Sequence, residues 1–391
     1  MYKTDIIIVG AGIVGAALAC ALGRANLNVV LIDSQVAADP QFAAQDLRVS
    51  AVTYGNKQWL SKLGVWEQLN EQQLGLFRTM QVLEQNSELL FDSADLGVPT
   101  LGYIVPNQLL NNALLQQLKT MQQVQILRPV VPESLQFSKH QVLLTLPEEQ
   151  ISAKLIVGAD GAQSWVREQC KFGMESKSYE HTALVAHLQI EKTHQQCAYQ
   201  QFKLDDVLAF LPLADTHQCS LVWSGKPERI QELQSLSTEN FTAQLQSHWG
   251  DSLGKITILS ERKTFPLTMR HAKNYVQERV AIIGDAAHTI HPLAGQGLNL
   301  GLQDAQCLAT TLIDIEQQQR DVGRYSNLRS FERERRWNND LMLKIVGGNK
   351  WMFAQTDSTV TCLRKTGMQA INNCPAVKKK IMQLATFGAL D

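Results

Sequence analysis

Neither sign of charge predominates in this chain of 391 residues: Lys and Arg total 36 against 37 Asp and Glu, leaving a net charge of -1. That balance gives no electrostatic case for nucleic acid as a partner. Cysteine is sparse, seven residues at positions 20, 170, 197, 219, 307, 362 and 374, with no CxxC pair. Such an odd, scattered set argues against a disulfide frame or a paired-cysteine zinc site and reads as reduced thiols of a cytoplasmic protein. Internal repeats and long low-complexity tracts are absent, although Gln is dense around 116–125 and 317–319. Long apolar runs are missing too, with one exception. Ile6 to Gly23 is nearly all apolar and about long enough to span a bilayer. Glycines at 10, 12 and 15, a second strand-like run VVLID at 29–33, and no A-x-A pattern after the run favour a buried strand and helix over a span or signal peptide.

What is present reads as a globular chain long enough for two or three domains, with 45% hydrophobic and 19% charged residues. DIIIVG is a short β-branched run of the kind buried on both faces of a sheet. It leads into Gly10-Ala11-Gly12-Ile13-Val14-Gly15, an Ala/Leu-rich helix and the next strand. Gly10 permits the tight turn, Gly12 lets the backbone approach a pyrophosphate, and Gly15 lets helix and strand pack closely. The helix N-terminus offers free N–H groups to phosphates. Asp33, at the end of the second strand, is placed to bond a ribose hydroxyl. This constellation predicts a dinucleotide without saying whether it is a nicotinamide or a flavin.

Two later segments repeat the strand-then-turn pattern. KLIVGADGAQSWVR at 154–167 is a strand, a Gly-Ala-Asp-Gly turn and a helix beginning near Ser164, which an ordinary polar cap would also explain. RVAIIGDAAHTIHP at 279–292 is a strand followed by Gly284-Asp285. His288 and His291 lack a further convergent ligand nearby, and Pro292 with the following glycines breaks any helix through them, so no metal is expected.

With GxGxxG near the N-terminus, GADGxxSxVR in mid-chain and GDAAHxxxPxxGQGxN late, the sequence resembles the FAD-dependent aromatic hydroxylases of the p-hydroxybenzoate hydroxylase type from residue 1 to about 340. FPLTMRHAKNYV, LGVW and LGYIVPN are similar to the ubiquinone-biosynthesis branch, in particular to members acting on a methoxylated polyprenyl benzoquinol. The resemblance implies roles. Gly284 and Asp285 would meet the ribityl chain near the pyrophosphate, and Pro292 would lie against the isoalloxazine ring. Gly295-Gln296-Gly297 would start a helix whose N–H groups face the flavin pyrimidine end, where a helix N-terminus stabilises negative charge. Asp160 and Gly161 would support flavin and nicotinamide binding, and Arg48 would contact cofactor phosphates, although a surface arginine after a flexible loop explains it equally well. The catalytic base, if the reaction uses one, is not identified.

No second GxGxxG supplies a dedicated NAD(P)H domain, so NADH or NADPH is expected as a transient reductant. The halogenase WxWxIP and Baeyer–Villiger FxGxxxHxxxW signatures are also missing. These absences leave hydroxylation, epoxidation or reduction; the resemblance implies hydroxylation of a hydrophobic quinol, with epoxidation, prenyl reduction or a non-catalytic flavin scaffold as alternatives.

The expected fold class is α/β: a Rossmann-like FAD-binding domain with an inserted, mainly antiparallel β-sheet substrate domain and a C-terminal helical segment. HTALVAHLQI, YQQFKL, VLAFLPL and CSLVWSG are short strand-like runs. They place the substrate domain at 76–103 and 176–268, leaving 1–75, 104–175 and 269–345 to FAD. Phe202, Phe210 and Trp223 are either ring-pocket or core residues. The 346–391 segment reads as amphipathic helices, either a cap or an element that meets a membrane surface or biosynthetic complex. A polyprenyl tail of about forty carbons would cost on the order of 30 kcal/mol to hydrate, at ~0.8 kcal/mol per CH2. The expected location is the cytoplasm, with contact to the inner face of the membrane as the sharper alternative.

Overall fold

The computed structural model describes residues 2–36, 46–84, 87–203, 206–289, 296–354 and 371–388, with side chains at all of these except 176–180, 296 and 343–354. Its centre is a six-stranded sheet in the order Val276–Gln277, Val280–Ile282, Leu155–Gly158, Ile6–Val9, Val29–Ile32, Val124–Leu127. The last five strands run parallel and Val276–Gln277 is an antiparallel edge. Ile6, Ile7 and Ile8 are fully buried, as a strand covered on both faces requires, and each contributes roughly 1.5–3 kcal/mol by burial. Helix Ile13–Arg24 packs against helices Gln296–Gln317 and Asn107–Lys119. Smaller sheets of four strands (Tyr2–Lys3, Gln150–Ala153, Val142–Thr145, Ser134–Phe137) and three strands (Val49–Thr53, Gly102–Pro106, Gly75–Phe77) flank it.

A second large sheet is antiparallel except where Cys197–Lys203 runs parallel to Thr79–Glu84. Its order is His288–Thr289, Lys263–Ala272, Met174–Ile190, Gln218–Gly225, Asp206–Pro212, Cys197–Lys203, Thr79–Glu84, Ser87–Asp92, with Ile256–Ile258 also paired to Met174–Ile190. Two amphipathic helices, Pro227–Ser235 and Thr238–Trp249, seal one face. There Leu208, Phe210, Leu221 and Trp223 pack on Ile230, Phe241 and Leu245. Alternation then turns Val207, Val222 and Phe202 to the opposite face, toward the parallel-sheet half.

The expected domain boundaries fall within continuous elements, and the sheet aromatics divide between two clusters. The boundaries at 175 and 269 fall inside the continuous strands Met174–Ile190 and Lys263–Ala272, because one ladder serves both halves. The boundary at 345 falls inside helix Tyr325–Ala354, which has no breaker at that point. The three aromatics do not share a surface: Phe210 and Trp223 are core beneath the two helices, while Phe202 clusters with Leu300 and Met342. The C-terminal helix Pro375–Phe387 touches both halves: Thr386 and Phe387 lie over Gly55, while Lys378 pairs at 2.7 Å with Asp95, just after strand Ser87–Asp92 of the second sheet.

Candidate active site

The first glycine turn is built by backbone crowding. Gly10 has φ +107°, and a Cβ there would lie 2.3 Å from the Ala159 carbonyl oxygen; one on Gly15 would lie 2.0 Å from the Gly10 oxygen. Both positions must therefore be bare for the fold itself. Gly12 differs, since a Cβ there meets no protein atom within 4 Å. Gly12 caps helix Ile13–Arg24 without a side-chain acceptor, and no acidic residue stands in the first turn. The helix thus presents unsatisfied N–H groups and positive partial charge to open space, a donor set suited to a pyrophosphate. Asp33 accepts from Ala11 N at 2.6 Å and from Gln35 N at 2.7 Å, which fixes its carboxylate beside the turn.

The other two motifs arrive at the same place. Ala159 lies against both Gly10 and Gly15, while Gly284 and Gly301 would each place a Cβ on the Val14 side chain, at 3.3 and 2.7 Å. Three segments more than a hundred residues apart therefore meet around residues 10–15. Asp285 sits on the short turn Gly284–Ala286 and is open to the cleft. The surrounding protein nevertheless desolvates its carboxyl enough to push it up, against the pull of His288 and Arg48. Arg48 is exposed on the same cleft, its guanidinium 5.8 Å from the centroid of the Phe265 ring.

Asp160 is engaged within its own turn. Its carboxylate accepts from Ser164 Oγ at 2.5 Å and Val166 N at 3.1 Å, so it acts with Ser164 as the cap of helix Trp165–Gln169. Burial pushes its carboxyl up, against those bonds. Gly161 has φ +80° and faces open space. Gln296 and Gly297 begin helix Gln296–Gln317, which carries no acid in its first turn. His291, Pro292 and Gly295 lie outside the described residues. Among the described residues no three His, Cys, Asp or Glu side chains are grouped to hold a metal ion.

Sequence reasoning missed the side chains that fasten these turns. Arg167 is buried and donates to Ala286 O at 3.1 Å and Ala162 O at 2.8 Å, joining the second motif to the third. Asn299 accepts from Thr53 N at 3.0 Å and donates to Ala51 O at 2.7 Å, clamping its helix to strand Val49–Thr53. Both lie within the quoted motifs, and that was the only available signal. Behind the Gly284 turn, the fully buried Asp304 accepts four hydrogen bonds. Gly284 N (3.1 Å) and His288 Nε2 (2.5 Å) bind one oxygen, Arg335 Nε (2.8 Å) and Asn339 Nδ2 (3.2 Å) the other. Burial would raise this carboxyl, but His288 and Arg335 overcome it and hold it down to about 2.

The donors, the bare Gly12 and the flanking Asp33 and Asp285 fit the phosphates and hydroxyls of FAD. The FAD binding domain family model matches residues 3–342. The chain is 34% identical to 3-demethoxyubiquinol 3-hydroxylase of Escherichia coli, with 98% of each chain covered. It is 34% identical to ubiquinone hydroxylase UbiL of Rhodospirillum rubrum over 97% of this chain and 89% of that one. With the human mitochondrial ubiquinone biosynthesis monooxygenase COQ6 the identity is 33%, covering 98% and 92%. The fold is shared with the crystal structure of p-nitrophenol 4-monooxygenase PnpA from Pseudomonas putida (TM-score 0.79, 18% identity, 98% and 97% covered). This chain belongs to the FAD-binding monooxygenases, in the branch of the ubiquinone-biosynthesis hydroxylases.

Proposed function

We propose that this protein hydroxylates the ring of a polyprenylated quinol, using NADH or NADPH and O2. The observation that carries the reading is the meeting of residues 10–15, 159–161 and 284–285 around one helix N-terminus that is open at Gly12. Bound FAD would take a hydride from the nicotinamide and deliver one oxygen atom of O2 to the substrate. The chain's own work is to bind, orient and exclude water. In this reading Gly12 and the start of helix Ile13–Arg24 hold the pyrophosphate, Asp33 the adenosine ribose, and Gly284-Asp285 the ribityl hydroxyls. Arg48 adds charge beside the phosphates. Pro292, Gly295, Gln296 and Gly297 flank the ring system, the last two offering a helix N-terminus to its negative charge. Asp160 holds the Gly161 turn in shape rather than touching the cofactor.

The apolar side chains on the uncovered sheet face, among them Phe202, Val207 and Val222, would receive a hydrophobic ring. Relatives named for demethoxyubiquinol favour a quinol already carrying its polyprenyl chain. No described helix is long and apolar enough to cross a membrane. Helix Pro375–Phe387 instead exposes Val377 and Ile381 beside Lys379 and Lys380 and contains no acid, a composition that suits an anionic bilayer surface. Reaction of the holoenzyme under isotopically labelled O2 tests the chemistry: one labelled oxygen per product ring is expected. Unlabelled product would point to reduction, label in the tail to epoxidation, and NAD(P)H oxidation unaffected by the quinol to a scaffold.

A further inference from the structure

The uncovered face of the second large sheet is not wholly apolar. Along strand Gln218–Gly225, Cys219, Leu221 and Trp223 point into the core beneath the helices, and Ser220, Val222 and Ser224 point the other way. Ser220 pairs in register with His187 on one side and Leu211 on the other, and paired residues project from the same face. Leu211, Val222 and Ala198 from this patch pack with Ala51, Phe77, Leu101 and Ile104 of the opposing three-stranded sheet. His187 and Ser220 are thus cross-strand neighbours on the face that meets the three-stranded sheet, amid aliphatic side chains.

Both carry an unsatisfied polar atom. Ser220 is 1% exposed, and neither its Oγ nor His187 Nε2 has a hydrogen-bond partner among the described residues. One such atom in a buried face is ordinary; two on cross-strand neighbours of the same face form an unfilled donor–acceptor pair. Burial depresses the His187 imidazole, against a weaker pull from Asp46, so it is neutral near neutral pH. A neutral imidazole and a hydroxyl can each donate or accept. That matches a phenolic hydroxyl, which does both; a carboxylate would bring an uncompensated charge among aliphatic side chains, and a bare alkyl chain would leave both atoms unpaired.

We propose that His187 and Ser220 hydrogen-bond one ring hydroxyl of the quinol and so set which edge of the ring faces the flavin. They are positioning residues in this role, and the inference rests on the functional reading above. A site built to bond a hydroxyl rejects an analogue that lacks the proton, because the protein groups are again left unpaired.

The test is calorimetric titration of the FAD-loaded protein, under anaerobic conditions, with a short-chain methoxybenzoquinol and each of its two monomethyl ethers. The native protein should bind the quinol about tenfold or more tighter than one of the ethers, the value of one well-made neutral hydrogen bond. Ser220→Ala and His187→Phe should each weaken the quinol by a similar factor and erase the discrimination, with FAD content and melting temperature retained. His187→Gln, which keeps a polar nitrogen near Nε2, should restore much of it. Discrimination that survives in Ser220→Ala and His187→Phe would overturn the proposal and leave a buried bridging water as the occupant. A native protein that binds none of the three ligands would sink the functional reading, and this inference with it.

Discussion

Replacing Asp304 by Asn changes almost no volume and removes one charge. Each carboxylate oxygen accepts two donors, Oδ1 from Arg335 and Asn339 and Oδ2 from Gly284 and His288. An amide has only one oxygen, so whichever way it turns, two donors face its NH2 group. The Arg335 guanidinium, whose side chain is 3% exposed, then loses its counter-charge. At an effective dielectric of about 20 and a charge separation of about 4 Å, that attraction alone is ~4 kcal/mol. Buried pairs broken on one side cost roughly 3–5 kcal/mol in general, which agrees. Because Asp304 holds Gly284, the damage should reach the cofactor: FAD affinity should fall along with stability. Urea unfolding and flavin-fluorescence titration read the two effects separately. A loss under about 1 kcal/mol would refute the reasoning, since it would mean that the cluster is solvated or neutral. Asp304→Leu combined with Arg335→Leu should be less damaging than the sum of the single changes, because no uncompensated charge remains.

Gly12→Ala should leave the melting temperature nearly unchanged yet weaken FAD binding, whereas Gly15→Ala, with its Cβ 2.0 Å from the Gly10 oxygen, should damage the fold itself. Equal effects on stability would contradict the division of labour between these two glycines. Asp285→Ala should lose FAD while keeping its fold, and it should gain slightly in apo-protein stability above about pH 4. A carboxyl raised in the folded state favours the unfolded chain once pH exceeds the unfolded value near 3.9, so its removal relieves that cost. An unchanged holoprotein would count against the site. Among described thiols, Cys20, Cys170 and Cys307 are pushed by burial up to about 12, while Cys374 is exposed. At pH 8 these three thiols are ionised to about one part in ten thousand, so among the described thiols Cys374 should react fast with a thiol reagent, and Cys374→Ser should diminish the fast phase.

The parts of the site that sequence revealed were those made by local backbone geometry. A strand, a tight turn and a helix opening lie within about twenty residues of one another, and glycine spacing reports them directly. The fastening side chains were not legible in that way. Asp304 and Arg335 stand on different helices, and only the folded arrangement puts them 2.8 Å apart. A lone acid in the apolar helix stretch LNLGLQDAQCLA was the available hint. The sheet aromatics were ambiguous for a related reason. Which face a strand residue occupies depends on register, so Phe202 and Phe210 could not be told apart until Tyr199↔Phe210 and Phe202↔Val207 were known. Asp160 illustrates a residue with two readings in sequence, where the capping bonds became visible only in the folded turn.

Strands Met174–Ile190 and Lys263–Ala272 run unbroken from the nucleotide-binding body into the substrate sheet, joined by a ladder from Met174↔Ala272 to Val185↔Lys263. The ladder shifts register between Ser178 and His181, and a jaw-like opening between the halves would have to shear the pairs on either side of that shift. Entry of a bulky greasy ligand must then be accommodated by rearrangement of peripheral loops and of the docked C-terminal helix, and crosslinking the two long strands should leave the working cycle intact.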